Sequence, residues 1–287
     1  MTGFGHVDAT PSTRLGTHPL ETMLRSLLNL TKRMLAGVLL LLAGTVALAQ
    51  DVPAIAAASD LKFALDEIAG KFQQDSGRQV RISYGSSGNF TRQIAQDAPF
   101  ELFLSADEAY VFQLAAQNLT PDRGVLYASG RIVLFAPQGS KLKPDAQFTD
   151  LRAAVADGRI ARFAIANPEH APYGRAAMQA LQSTGLWAPL QAHLVLGENV
   201  SQAAQFAVSG SAQGGIFAYS LALAPAIAAR GRYVLIPESL HQPLRQRMVL
   251  LRKAGDTARA FYAYLQQPTA RAVFKRHGFV LPGEAAG

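Results

Sequence analysis

The chain reads as an α/β protein built on mainly parallel sheets, and three observations predict this. Short apolar runs alternate with stretches whose apolar residues recur at helical spacing, over most of the sequence. Several runs, such as residues 52–57 and 160–166, are apolar nearly throughout, as strands inside a covered sheet are. Clusters of Gly, Pro, Asn and Asp fall between the runs, where the chain must turn. Two α/β halves are expected, with crossovers near Gly130 and Arg245, so that the first half recovers the C-terminal helix. In such folds ligands bind beyond the carboxyl ends of the strands and between domains.

The first 49 residues stand apart. Arg25, Lys32 and Arg33 precede an apolar run over residues 34–49 that ends in Ala47-Leu48-Ala49, a small-x-small pattern before Gln50. This is the pattern of a secretory signal peptide starting at Met23, and the run is short for a membrane span. Residues 1–22 read as upstream sequence or a misplaced start codon. A periplasmic location is expected.

After it, residues 52–57 read as the first strand, and Ser59 opens a helix with Leu61, Leu65, Ile68 and Phe72 on one face. A second strand over 79–83 hands over, through Gly85-Ser86-Ser87-Gly88-Asn89, to a helix start at 90–96. Residues 100–105 form a strand, 107–117 a helix and 120–124 a loop. The strand at 131–136 is stopped by Pro137; then come a helix over 148–156 and a strand over 160–166. The turn-rich loop from Asn167 to Gly174 runs into a helix over 175–184. Strand 193–196, the Gly197-Glu198-Asn199 turn, helix 200–208, strand 215–219, helix 220–229 and strand 233–237 continue the alternation. Strand 246–251 returns to the first sheet, a long amphipathic helix spans 257–275, and 279–282 closes the chain. The expected organisation is an upstream segment over 1–49, lobe 1 over 50–130 plus 245–287, and lobe 2 over 131–244.

Composition excludes several classes of function. The net charge is +7, of which residues 1–49, with four Lys/Arg against two Asp/Glu, carry little, leaving about +5 for the rest. A mild positive field helps collect anions. The basic residues are dispersed singly, so nucleic acid is not an expected partner. With no cysteine there is no disulfide, thiolate metal site or cysteine nucleophile.

The strand-to-helix junctions carry the chemistry. They hold Ser59; Ser86 and Ser87; Pro172, Tyr173 and Gly174; and Asn199 and Val200. The first N–H groups of a helix lack intrahelical acceptors, and the macrodipole places positive potential there, so such a junction suits an anion. Gly85 and Gly88 permit tight turning and close approach. Read alone, each junction is also what a serine N-cap in a surface loop looks like. Their recurrence is what points to function: converging, they form a cage of neutral donors. A hydrogen bond to a charged acceptor is worth roughly 1.5–3 kcal/mol, so several offset much of an oxyanion's dehydration. A cage of donors offers nothing to a proton on the ligand and so favours fully ionised oxyanions.

Over residues 52–282 the chain resembles the periplasmic molybdate-binding proteins of ABC importers. The matching stretches are Ala56-Ala57-Ala58-Ser59, Gly85-Ser86-Ser87-Gly88 with Arg92-Gln93-Ile94, Ala98-Pro99 with Phe103-Leu104-Ser105-Ala106-Asp107, Asn167 through Gly174, and Phe274-Lys275-Arg276-His277-Gly278-Phe279. The resemblance implies a two-lobed, hinged type II binding-protein fold, with molybdate or tungstate in the cleft and an inner-membrane ABC permease as partner. It also implies a non-enzymatic monomer without a cofactor, in which any metal arrives as its oxyanion. Carried over by position, Ser59 and Ser87 match hydroxyl ligands, and Tyr173 and Val200 match backbone N–H donors. Ser86 is a further candidate. The tyrosine hydroxyl used by some members falls on Ala218; Tyr219, one residue late in the expected strand, points to the opposite face. Where another branch supplies a polar residue after the first serine, this chain has Asp60. A carboxylate repels a dianion, so Asp60 is expected to offer its backbone N–H, or to cap its helix with the side chain outward. If it faced the cleft it would accept a proton from hydrogen phosphate.

Two alternatives stand beside this reading: the same fold binding sulfate or hydrogen phosphate, and a serine hydrolase using Ser86 or Ser87. The hydrolase needs a general base nearby, and no G-x-S-x-G elbow is present. His170, beside Glu169, reads as a structural loop histidine.

Overall fold

A computed structural model describes residues 23–32, 34 and 52–284. Residues 23–32 are helical and exposed along their length. The cleavage pattern at Ala47-Leu48-Ala49 and nearly all of the apolar run before it lie outside the described residues. Among the described residues no helix is long and apolar enough to cross a membrane.

From Ala54 the chain runs β1 (Ala54–Ala58), a 3-10 turn (Ser59–Leu61), α1 (Lys62–Ser76), β2 (Arg81–Gly85), α2 (Ser87–Ala95), β3 (Phe100–Ser105), α3 (Glu108–Ala116) and β4 (Val125–Gly130). It continues through β5 (Ile132–Pro137), α4 (Thr149–Ala156), β6 (Phe163–Ala166), α5 (Pro172–Ser183), α6 (Trp187–Leu190), β7 (Leu194–Gly197) and α7 (Val200–Val208). Then come β8 (Gly214–Ala218), α8 (Tyr219–Ala222), α9 (Pro225–Ala228), β9 (Gly231–Leu235), β10 (Leu244–Leu250), α10 (Asp256–Tyr264) and α11 (Pro268–Arg276).

The strands form two five-stranded sheets, in the orders β2-β1-β3-β10-β4 and β7-β6-β8-β5-β9. The expected parallel pairing is found within β2-β1-β3 and β7-β6-β8. Each sheet is mixed, however, because β10 runs antiparallel to β3 and β4, and β5 to β8 and β9. An apolar run carries no mark of its direction, so the sequence pattern does not separate these strands from the parallel ones.

Alternation along the strands divides the first core. Ile55, Ala57, Leu102 and Leu104 face α1, where Leu61, Leu65, Ile68 and Phe72 meet Phe261 and Phe274. Ala54, Ala56 and Phe103 face the other way, onto Phe90, Ile94, Val111 and Leu114. The second sheet buries Val133, Phe135, Phe163, Ile165 and Phe217 beneath helices that include α5 and α7. Each fully buried Leu or Phe contributes roughly 1.5–3 kcal/mol.

Prolines explain most of the displaced boundaries. The helix expected over 257–275 is two helices, because Pro268 disfavours helical backbone in the residue before it and opens α11 as its first residue. Pro225 splits α8 from α9 in the same way. Pro172 starts α5 three residues earlier than expected, which places Tyr173 and Gly174 in its first turn. β4, over residues to which the sequence pattern assigns no element, is drawn into the sheet by pairing with β10. Tyr219 is the first residue of α8, not the last of a strand, so strand alternation does not set its direction. Its ring packs on Tyr233 and under the Arg131 guanidinium.

Candidate functional site

The junctions singled out in the sequence converge. Ser59, Ser86, Ser87, Tyr173 and Val200 all line one narrow cavity of about 10 Å³, with Ala58, Gly85, Ala106, Ala171 and Pro172 completing its wall. Among the described residues no charged side chain is part of that wall. Larger hollows lie elsewhere, one beside Arg175 and one beside Arg252, but neither is lined by Ser59, Ser86, Ser87, Tyr173 or Val200. The cavity is far smaller than the roughly 300–1,000 Å³ of a drug-sized site and has no room for an organic solute.

Neither serine junction makes a side-chain cap bond. Ser86 occupies the cap position of α2 but makes no side-chain cap bond, and Ser59 lies inside the 3-10 turn. Ser87, the first residue of α2, is fully buried, and its Oγ accepts the Ala106 N–H at 3.0 Å. That leaves its own hydroxyl hydrogen for the cavity. Ser59 Oγ donates to Asn199 Oδ1 at 3.0 Å and accepts the Ser201 N–H at 3.2 Å. Ser201 Oγ in turn donates to the Ser59 carbonyl at 2.8 Å. For Ser59 to donate to a ligand, its hydroxyl must turn away from Asn199.

On the other wall, Val200 opens α7 behind Asn199, whose side chain accepts the Gln202 N–H at 3.1 Å. Tyr173 comes directly after Pro172 in α5. At these positions the backbone N–H has no acceptor within the helix. Gly174 sets how closely α5 approaches β6: a Cβ there would sit 2.2 Å from the Ala166 carbonyl oxygen.

Asp60 is neither outward nor a cap. It is buried and does not line the cavity; its Oδ2 accepts from the Tyr173 hydroxyl at 2.9 Å and from Gln246 Nε2 at 2.6 Å. The expectation of a solvent-facing or capping side chain fails because the 3-10 turn after β1 carries Asp60 inward, toward β10 and α5. Burial pushes its carboxyl up to about 6, against the opposing hydrogen bonds from Gln246 and Tyr173. Burial and the Asp60 charge hold the Tyr173 and Tyr127 hydroxyls well above their ordinary range, so both remain donors.

His170 lies in a loop, as expected, and its contacts reach across the site. Its Nδ1 stands 2.9 Å from Ser86 Oγ, its Nε2 3.6 Å from Glu198, and its carbonyl accepts the Gly88 N–H at 2.9 Å. Asn89 also bonds Glu198. The Ser86–His170 and Asn89–Glu198 pairs lie more than eighty residues apart in the chain, and nothing in residue spacing announces them. Among the described residues no group of three or more His, Cys, Asp or Glu is placed to hold a metal ion.

Residues 54–280 match the family of bacterial extracellular solute-binding proteins. The chain belongs to that family. Among its relatives, the molybdate-binding protein ModA of Azotobacter vinelandii is 34% identical over 230 residues, covering 79% of this chain and 89% of that protein. ModA of Rhodobacter capsulatus is 33% identical over 217 residues, covering 75% and 82%. A solved periplasmic molybdate-binding protein of Azotobacter vinelandii superposes with a TM-score of 0.72 at 31% identity, covering 80% of this chain and 99% of that one. The two-lobed α/β fold expected from the sequence is thus the fold of the solute-binding family.

Proposed function

We propose that the chain is an extracytoplasmic receptor that captures molybdate, or tungstate, in this cavity and delivers it to an ABC permease. The observation that carries the reading is the wall itself: three serines and the helix-start residues Tyr173 and Val200 line one cavity, and among the described residues no carboxylate or cation shares that wall. Such a wall favours a fully ionised tetrahedral oxyanion over hydrogen phosphate. The names of the ModA relatives support the metal oxyanion over sulfate. Ser59 and Ser87 act through hydroxyls, Tyr173 and Val200 through backbone N–H, and Ser86 beside them. The lobes that close are residues 50–130 plus 245–287 and residues 131–244, and closure shifts with ligand according to its differential affinity for the two states. Residues 1–49 direct secretion to the periplasm, where the protein acts as a monomer, without cofactor or catalysis. The Ser86–His170 pair is a contact across the cleft, not a nucleophile and its base.

Competition calorimetry with molybdate, tungstate, sulfate and phosphate tests the proposal. Micromolar or tighter binding of molybdate and tungstate, displaced by neither of the others at equal concentration, is expected. Preferential binding of sulfate or phosphate sinks it.

A further inference from the structure

Asp60 lies next to a serine of the cavity yet takes no part in its wall. Its partners show a different use. Tyr173 belongs to α5, packed on the second sheet, whereas Asp60, Gln246 and Tyr127 belong to the first sheet and its turn. Across this boundary the Tyr173 hydroxyl donates to Asp60 Oδ2 at 2.9 Å and accepts from Gln246 Nε2 at 3.0 Å. Gln246 also donates to Asp60 Oδ2 at 2.6 Å, and Tyr127 donates to Gln246 Oε1 at 2.7 Å. Every member is buried. Gly130, at the crossover between the sheets, leaves the space: a Cβ there would stand 2.1 Å from the Tyr173 hydroxyl oxygen. The Ser220 hydroxyl holds the Asp60 carbonyl at 2.8 Å, fixing the turn from the second side.

We infer that Asp60 and Gln246 form a clasp for Tyr173 that holds the closed arrangement and positions the first turn of α5 at the cavity, without touching the ligand. Resting on the proposed function, the inference names positioning residues for that same site. Tyr173 lines the cavity while its hydroxyl, at the far end of the side chain, is gripped by the opposite half. A charge-assisted bond in a dry setting is stronger than a neutral one, so the clasp favours closure beyond the ligand's own contacts. Opening must break it, which places its effect on release more than on capture. Among the described residues Asp60 Oδ1 has no hydrogen-bond partner. A carboxylate held with one unsatisfied oxygen fits a group kept for its grip on Tyr173 and not for stability, since such a group is costly to bury.

The test uses the full chain and the variants Tyr173→Phe, Asp60→Asn and the double variant Tyr173→Phe/Asp60→Ala. Phenylalanine keeps the ring and the backbone N–H and deletes only the grip. Stopped-flow measurement of molybdate release and small-angle scattering, ligand-free and with saturating molybdate, are the readouts. The expected result is an about tenfold or larger rise in koff for Tyr173→Phe. kon should stay within about twofold, and the ligand-free radius of gyration should be larger than for wild type. Asp60→Asn, which keeps an acceptor oxygen, shows a smaller rise, and the double variant adds little to Tyr173→Phe because both changes remove one contact. Wild-type koff together with wild-type scattering in Tyr173→Phe overturns the clasp, as does a loss confined to the bound fraction with koff unchanged. If wild-type protein binds no molybdate, the proposed function fails separately, and scattering of the ligand-free variants still decides the clasp.

Discussion

Strand for strand, the two sheets have one order. β1 and β2 hold the places in the first sheet that β6 and β7 hold in the second, each pair parallel and each sheet completed by an antiparallel return. The segments just past the ends of those four strands wall the cavity: Ser59 after β1, Ser87 after β2, Tyr173 after β6 and Val200 after β7. The halves differ in what they present. In the proposed site the first would offer side-chain hydroxyls, and the second backbone N–H groups at the starts of α5 and α7. A hydroxyl is a matter of residue identity. A backbone donor is a matter of where a helix begins, and Pro172, Gly174 and Asn199 set that on the second side. One half of the site is thus written in the lining residues, the other in their neighbours.

Charge separates the halves further, and here the largest effect is expected. Asp60, from the first half, is the acid that is buried among the described residues. Its folded carboxyl, at about 6, lies above the ordinary value of 3.8, so the folded state binds the proton more tightly than the unfolded one. By linkage its contribution to stability is greatest below pH 4 and is lost as pH rises to about 6, by roughly 3 kcal/mol. Glu67, held down by the Arg276 hydrogen bond, acts in the opposite sense, so the raw curve is a mixture. The difference between wild type and Asp60→Asn isolates the group: denaturant unfolding from pH 4 to 7 should show the variant gaining relative stability with rising pH. A flat difference would mean that the carboxyl is not buried as described.

Next in size is the hydroxyl side of the site. Ser87→Ala removes a donor to a charged acceptor and strands the Ala106 N–H, so calorimetry should show molybdate affinity falling about 10- to 100-fold. An unchanged affinity would remove the first half from the anion site and break the comparison.

Legibility in the sequence divides along the same line. Ser59, Ser87, Tyr173 and Val200 are readable because each comes after an apolar run and near the start of a helical one, and local pattern places them at strand ends. The α/β alternation is readable for the same reason. Strand direction is not, because pairing of β10 with β3 and β4 is decided by contacts far along the chain. Nor is the direction of Asp60: charge repulsion argues for solvent, but Gln246 and Tyr173, more than a hundred residues away, supply buried donors. His170 reads as a loop residue because Ser86, its partner, is remote in the chain. Pro172 is visible in the sequence, yet pattern alone starts α5 three positions late and so misses the place of Tyr173 within the first turn.

The smallest effect is predicted where the comparison is sharpest. Val200 lines the cavity as Ser87 does, and both are the first residue of their helix. If its backbone N–H is the group that faces the ligand, Val200→Ala leaves the donor, the helix start and the Asn199 cap intact. Molybdate affinity should then stay within about twofold of wild type, less than the loss of even one ordinary hydrogen bond. Stability should still fall, because the buried side chain packs within the second core. Calorimetry and thermal unfolding on one sample separate the two. A variant that unfolds more easily yet binds as tightly places the contribution of this residue in its main chain, whereas a drop in affinity as large as that of Ser87→Ala would mean that the two halves do not differ in the way their donors are supplied.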